Sequence, residues 1–202
     1  MGFNETTLQF VMNAINSTFG SCNGLSMLEY GDQMVRANGN QPAKLYFQSL
    51  GVNHVSIDLN GLFGALPMDL SKPLGDDFHD KFDIVTNSGT TEHIQIDGQY
   101  ECFKNAHLCC RIGGLMIHVV PKCGQFIKSH GYVYYSKGFF NYLASVNGYK
   151  SEIGELPWSA GRHTGTLITA VLHKTRSSFA PHNPDFLVGL CDNHNNSLKK
   201  SK

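Results

Sequence analysis

Glu92 and His93 are the neighbouring pair with the clearest capacity for chemistry in this sequence. They follow residues 82–86 (FDIVT), a segment whose apolar density is typical of a buried strand. An imidazole titrates near neutral pH, so His93 suits a base that takes a proton from a hydroxyl group. His130 lies in a glycine-containing loop and is expected to face the same pocket. We predict Glu92, His93 and His130 as catalytic; the alternative is that Glu92 caps a helix and His93 packs beside it.

A second group of residues stands where other predicted strands end. Gly31 follows residues 25–30, and a glycine there would let the backbone pass close to a ligand. Asp58 ends residues 53–59, where a carboxylate is suited to accept both hydroxyls of a ribose. Ordinary explanations also exist, because glycine is common in turns and aspartate in turns and helix caps.

The elements that must position these residues alternate between strands and helices. Such alternation predicts an α/β fold with a mostly parallel sheet and helices on both faces, and ligands bind beyond the carboxyl ends of its strands. The predicted helices are residues 6–19, 43–50, 99–111 and 136–146, and the predicted strands are residues 25–30, 53–59, 82–86, 115–120, 149–156 and 166–173.

The order of these segments resembles that of the class I (Rossmann-like) S-adenosylmethionine-dependent methyltransferases. The resemblance covers roughly residues 25–175, but Asp32 and Gln33 stand where the family's first motif has further small residues. The matching segments are MLEYGDQMV (27–35) for the glycine loop, Asp58 for the second acid, GALPMDL (64–70) for the third acid, DKFDIVTNSGTTEHI (80–94) for the fourth strand and RIGGLMI (111–117) for the turn before the fifth.

The resemblance implies a doubly wound, mostly parallel seven-stranded sheet with helices on both faces and the last strand antiparallel. We expect a single domain over residues 1–202, with an N-terminal helical cap (1–24), a Rossmann-like core (25–175) and a C-terminal extension (176–202). The implied cofactor is S-adenosylmethionine, with Asp69 at the adenine amino group. The predicted cofactor-binding residues are Glu29, Gly31, Asp32, Gln33, Asp58, Leu59, Met68, Asp69, Asn87 and Ser88.

The Glu92–His93 pair resembles one found in several O-methyltransferases of small molecules, which implies that chemistry here. In a related group of small-RNA 2′-O-methyltransferases the pair binds a divalent metal with another glutamate and a further histidine. Gly89 stands in the place of that glutamate, so a metal site here would lack one ligand. His118 and His130 are the candidates for the further histidine, and His118, inside a predicted strand, is also explained as a hydrogen-bonded core residue.

Sixteen basic residues balance sixteen acidic ones, which does not favour a nucleic-acid partner, because phosphate binding needs clustered positive charge. The basic cluster Lys199, Lys200 and Lys202 is expected to be a solvated terminus. No apolar run has the roughly 20 residues that span a bilayer. The six cysteines lack zinc-like pairs and are expected to be reduced thiols, which predicts a cytoplasmic protein.

We therefore predict O-methylation of a small-molecule acceptor. The alternatives are transfer to RNA or protein, and a non-catalytic scaffold or partner subunit that kept the fold, for which the altered glycine loop is the support. A nicotinamide enzyme would require a fuller G-x-G-x-x-G turn. The sequence does not specify the oligomeric state.

Overall fold

The computed structural model describes residues 2–37 and 39–192. Apolar residues at helical spacing form the helices, and the segments of high apolar density form the central strands. In chain order the main elements are α1 (Glu5–Phe19), β1 (Ser26–Tyr30), α2 (Ala43–Ser49), β2 (Asn53–Asp58), β3 (Leu66–Pro67), β4 (Phe82–Ser88), α3 (Gln99–Cys109), β5 (Cys110–Pro121), α4 (Lys137–Asn147), β6 (Lys150–Ala160) and β7 (His163–His173).

The seven strands form one sheet in the order β3-β2-β1-β4-β5-β7-β6. The pairs from β3 to β5 are parallel, whereas β7 runs antiparallel to both β5 and β6. The predicted fold, a mostly parallel seven-stranded sheet with an antiparallel last strand, is confirmed. The strand order changes direction between β1 and β4, so the carboxyl ends of these two strands border the crevice where such sheets bind ligands.

The core has two layers, one on each face of the sheet. Side chains of a strand alternate between faces, so Ile84 and Val85 of β4, both fully buried, belong to different layers. On one face Phe103 of α3 and Phe140 of α4 pack, and on the other Val11 of α1 packs. Burial on both faces explains why the central strands are apolar almost throughout.

The boundaries of three elements differ from the predicted ones. Helix α3 ends at Cys109, and β5 begins at the next residue, so the predicted turn before that strand lies within it. Strands β6 and β7 extend to Ala160 and His163 and leave only a short turn between them. Trp158, which falls between the two predicted strands 149–156 and 166–173, therefore lies in β6. Pro157 is tolerated there because β6 is the edge strand, where a missing N–H removes no ladder bond on the open side.

The expectation that all six cysteines are reduced thiols is wrong for two of them. Cys123, just beyond β5, forms a disulfide with Cys191, 68 positions later in the chain. Cys191 lies in a short strand, Leu190–Asp192, that pairs antiparallel with Val133–Tyr135. The disulfide removes the argument on which the cytoplasmic prediction rested.

The other four cysteines are buried thiols.

The basic cluster Lys199, Lys200 and Lys202 lies outside the described residues. Among those described, no helix has the length and apolar character needed to cross a membrane.

Replacement of a buried isoleucine in β4 tests the central position of that strand. Ile84 is fully buried, and Ile84→Ala should lower the free energy of unfolding by about 2–5 kcal/mol through lost contacts and a cavity. Ile112→Ala is the matched control, since Ile112 is 53% exposed, and it should change the free energy by less than about 0.5 kcal/mol. Urea unfolding measures both, and equal losses would contradict the described burial.

Thiol labelling tests the disulfide. The four free cysteines are buried, so iodoacetamide should label no thiol rapidly in the native protein and two after mild reduction. The denatured protein is the control, with four labelled thiols before reduction and six after it. Two reactive thiols in the untreated native protein would contradict the pairing.

Candidate functional site

Two neighbouring pockets open beyond the carboxyl ends of the parallel strands. The first, with a volume of about 480 Å³, lies beyond β1, β2 and β4. The second, of about 840 Å³, lies beyond β5 and against the loop that follows it. Both volumes are in the range of small-molecule sites. His93 lines both pockets and so stands at their junction.

The floor of the first pocket is built from the turns after β1 and β2. The Asp32 backbone N–H donates to Asp58 Oδ2 at 3.3 Å, and the Asn60 N–H donates to Asp58 Oδ1 at 3.0 Å. Asn60 Nδ2 also donates to Asp32 Oδ2 at 3.0 Å. These bonds hold the Asp58 carboxylate in one orientation and leave each oxygen a further lone pair for a ligand.

Gly31 is required by the shape of the first turn. Its φ of 93° lies in the region that favours glycine, and its N–H donates to the Ile57 carbonyl oxygen at 2.7 Å. A Cβ here would overlap the side chains of Gln33 and Thr90, which are themselves bonded at 2.9 Å from Nε2 to Oγ1. The turn after β1 is therefore joined to the turn after β4 through side chains.

The far wall of the first pocket comes from the segment between β2 and β4. Met68 and Asp69 line it, together with Leu59 and the exposed ring of Phe63. Asp69 Oδ1 accepts bonds from the Ser71 hydroxyl at 2.7 Å and the Ser71 N–H at 2.8 Å. These bonds hold the pKa of the Asp69 carboxyl below its usual value, so the group is an anion at neutral pH.

A buried hydrogen-bond network supports the turn that carries Glu92 and His93. Asn87 Nδ2 donates to Thr91 Oγ1 at 2.8 Å, and Gln99 Nε2 donates to the carbonyl oxygens of Thr91 and Ile94 at 2.7 and 2.8 Å. The Tyr135 hydroxyl lies 2.6 Å from Gln99 Oε1 and 2.8 Å from Thr91 Oγ1. The turn thus has fixed partners on β4, α3 and the strand Val133–Tyr135.

Glu92 is fully buried between two imidazoles. Its Oε1 lies 3.3 Å from His130 Nε2 and 3.9 Å from His93 Nε2. The loop of His130 approaches closely, because the Tyr132 N–H donates to the Glu92 carbonyl oxygen at 2.7 Å and a Cβ on Gly131 would meet that oxygen. The structure therefore brings together the three residues predicted as catalytic.

The same three side chains could hold a metal ion. Their candidate ligand atoms lie within 4.8 Å of one another. Within the described part of the chain Glu92 Oε2 has no hydrogen-bond partner, which is costly for a buried carboxylate. His118 does not join them. It is buried between Phe103 and Phe140 with Nδ1 3.3 Å from Asn87 Nδ2, and burial lowers its pKa to about 3.

His93 has the properties of a base at the junction. About half of its side chain is exposed. Partial burial lowers the pKa of His93 below its usual value, although the neighbouring Glu92 acts in the opposite direction. The imidazole is therefore neutral at pH 7 and able to accept a proton.

The second pocket has an aromatic wall and two lysines. The Phe126 ring contacts the His130 ring at 5.1 Å and the Trp158 ring at 4.8 Å between centroids. Lys122 and Lys128 line the same pocket. So do Tyr132, Tyr134 and the disulfide-bonded Cys191, which brings the C-terminal strand to its wall.

Not every residue predicted to bind cofactor lines the first pocket. Glu29 is buried 3.5 Å from His54, and burial raises the pKa of the Glu29 carboxyl. Asn87 and Ser88 are buried beneath the turn that they precede, and Gly31 shapes the floor. The predicted cofactor-binding residues that line the pocket are Asp32, Gln33, Asp58, Leu59, Met68 and Asp69, and His93, which was predicted as catalytic, lines it as well.

Sequence reasoning missed several lining residues. In the first pocket these include Met34, Arg36, Phe63, Thr90 and Ile94, and in the second Lys122, Phe126 and Lys128. Most lie in loops, where the spacing of side chains does not predict their direction. Thr90 could have been predicted, since it lies two positions before Glu92 in residues 80–94, the segment that resembles the fourth-strand motif of the family.

No protein-family model matches the chain, and no curated protein sequence does. Among solved structures, the chain is similar to the Burkholderia thailandensis 1,6-didemethyltoxoflavin-N1-methyltransferase with bound 1,6-didemethyltoxoflavin and S-adenosylhomocysteine. The TM-score is 0.63 at 13% identity, over 86% of this chain and 80% of that one. The TehB-like methyltransferase of Corynebacterium glutamicum gives 0.55 at 18% identity, over 81% and 86%.

The Haemonchus contortus phosphoethanolamine N-methyltransferase 2 in complex with S-adenosylmethionine gives a TM-score of 0.58 at 13% identity. The match covers 83% of this chain and only about half, 53%, of that one. The fold of this chain is that of the class I S-adenosylmethionine-dependent methyltransferases.

Proposed function

We propose that the chain is an S-adenosylmethionine-dependent methyltransferase that binds its cofactor in the first pocket and a small-molecule acceptor in the second. The observation that carries the proposal is that His93 lines both pockets. Methyl transfer requires cofactor and acceptor to meet in line, and two pockets that share one wall at a titratable side chain allow such a meeting.

The residues of the first pocket fit the cofactor. S-adenosylmethionine carries a sulfonium and an ammonium besides its carboxylate, so its net charge is positive. The pocket supplies the carboxylates of Asp32, Asp58 and Asp69 against the single guanidinium of Arg36. Asp58, whose oxygens are fixed by backbone N–H groups, would accept the ribose hydroxyls, and Leu59 and Met68 would contact the adenine ring.

When bound, the cofactor would supply a methyl group whose carbon the acceptor oxygen attacks in line, so that the new C–O bond forms as the C–S bond breaks. His93, neutral at pH 7, would take the proton from the acceptor hydroxyl as its oxygen attacks. His130, whose ring centroid lies 4.9 Å from that of His93, would orient the acceptor beside it. Two of the similar structures are named as N-methyltransferases. We propose a hydroxyl acceptor because a hydroxyl must lose its proton as its oxygen attacks, and a neutral imidazole can take that proton.

A second candidate mechanism rests on Glu92 Oε2, the buried oxygen without a partner. A divalent cation held by Glu92, His93 and His130 would balance the charge of this buried carboxylate and would polarise the acceptor oxygen directly. Excess chelator distinguishes the two mechanisms. Full activity in chelator supports His93 as the base, whereas loss that added cation restores supports the metal.

Removal of the Asp58 charge tests the cofactor pocket. Saturating S-adenosylhomocysteine, at about 100 times its dissociation constant, should stabilise the protein by about 2.7 kcal/mol. Asp58→Asn should weaken its binding about tenfold, because charge-assisted hydrogen bonds to the ribose are lost. Calorimetric titration measures the affinity.

Asp77→Asn is the matched control, since Asp77 is exposed and lies outside both pockets. It should bind like the unaltered protein. No binding of S-adenosylhomocysteine to the unaltered protein would leave the non-catalytic scaffold as the better account.

Replacement of His93 tests the chemistry at the junction. His93→Ala should keep cofactor affinity and lower turnover by about 10²-fold or more, as expected when a general base is removed. Transfer of tritiated methyl from S-adenosylmethionine to hydroxylated small molecules measures the rate. The unaltered protein should be fully active at pH 7 and lose activity as the pH falls through a pKa below 6.5, because the pKa of His93 is lowered.

His163→Ala is the control, since His163 is an exposed histidine at the start of β7. It should leave the rate and its pH profile unchanged. Undiminished turnover in His93→Ala would remove His93 from the mechanism.

A further inference from the structure

The two pockets carry opposite charge although the chain as a whole is neutral. The first is lined by Asp32, Asp58 and Asp69 against Arg36. The second is lined by Lys122 and Lys128, and no aspartate or glutamate is among the described residues that line it. Charge of one sign along a cleft raises the local concentration of a ligand of the other sign.

The positive charge near Lys122 is only partly balanced. Lys122 Nζ lies 2.8 Å from Glu155 Oε2, and Lys137 Nζ lies 3.3 Å from Oε1 of the same carboxylate. Two ammonium groups therefore share one anion, which leaves a net positive charge. The backbone also fixes Lys122, whose N–H donates to the Thr166 carbonyl oxygen at 3.0 Å.

The aromatic part of the second pocket suits a flat molecule. Phe126 stands between His130 and Trp158, and these ring contacts hold its plane in place. His93 and His130 lie next to each other, with centroids 4.9 Å apart. The pocket thus combines an aromatic wall and two imidazoles with two lysines.

We propose that the acceptor is an anion, namely a planar hydroxylated molecule whose carboxylate or phosphate is bound by Lys122 and Lys128 while its hydroxyl meets His93. The inference rests on the proposed function and names the substrate class of the same site. A cationic or neutral acceptor would offer no negative charge to the excess positive charge at Lys122 and Lys137. The anion instead replaces part of the hydration of Lys122 and Lys128 by charge-assisted hydrogen bonds.

A titration of matched ligands tests the inference. Protein saturated with S-adenosylhomocysteine is titrated with 4-hydroxybenzoate, with 4-hydroxyphenyl phosphate and with the neutral methyl 4-hydroxybenzoate. Trp158 is the single tryptophan of the chain and contacts the pocket wall through Phe126, so its fluorescence reports binding. At least one anion should bind tenfold or more tightly than the ester, and its affinity should fall with added salt. The stronger of the two anions identifies carboxylate or phosphate as the preferred group.

Two variants distinguish a direct contact between Lys122 and the anion from a general effect of positive charge on the protein. Lys122→Met should weaken binding of the anion about tenfold and leave the ester unchanged, as expected for loss of one charged hydrogen bond. Lys150→Met is the matched control, since Lys150 is an exposed lysine at the start of β6 and lies outside the pocket, and it should keep the affinity. Circular dichroism verifies that both variants fold.

Equal affinity for anion and ester, no binding by either anion, or an undiminished affinity in Lys122→Met would overturn the inference. Calorimetry with S-adenosylhomocysteine alone distinguishes this failure from failure of the proposed function. If the cofactor product binds and the anions do not, only the acceptor class is wrong. If the cofactor product does not bind, the methyltransferase proposal is wrong.

Discussion

The buried network beneath the turn after β4 is the interaction on which both pockets depend. Asn87, Thr91, Gln99 and Tyr135 satisfy one another there, away from water. Burial raises the pKa of the Tyr135 hydroxyl well above its usual value, so it stays a neutral hydrogen-bonding group. A polar network that is fully paired in a low dielectric is rigid. The turn above it can therefore hold Glu92 against two histidines despite the desolvation of that carboxylate.

This rigidity places one side chain, His93, between two pockets of different character. The first pocket lies where parallel strands end and the strand order reverses. Any sheet of this topology provides a crevice at that position. The second pocket is formed instead by the loop after β5 and by the strand Leu190–Asp192, which the Cys123–Cys191 disulfide attaches to that loop. The fold thus supplies the first pocket, and features of this chain supply the second.

Much of the fold could be predicted because it depends on local patterns. Residues 82–86 and 115–120 are mostly apolar, as is typical of strands covered on both faces, and both lie at the centre of the sheet. The site was predictable where a residue lies at or shortly after the end of a strand, as Asp58 at the end of β2 and His93 in the turn after β4 do. Glu29 shows the limit of that rule, since the side chain of a strand residue can point into the core, and here it faces His54.

The residues that line the second pocket were harder to predict from the sequence. Lys122, Phe126 and Lys128 lie in a loop without periodicity, so nothing in their spacing showed that they face one cavity. The disulfide was missed for a related reason. Its cysteines are 68 positions apart in sequence but 5.8 Å apart between Cα atoms, and only the pairing of Leu190–Asp192 with Val133–Tyr135 brings them together.

A crystal structure of the protein grown with S-adenosylhomocysteine tests the central claim most directly. The account predicts that the ligand occupies the first pocket, with its ribose hydroxyls within hydrogen-bond distance of Asp58 and its sulfur facing the second pocket beside His93. A ligand bound elsewhere, or turned so that its sulfur faces away from His93, would contradict the account.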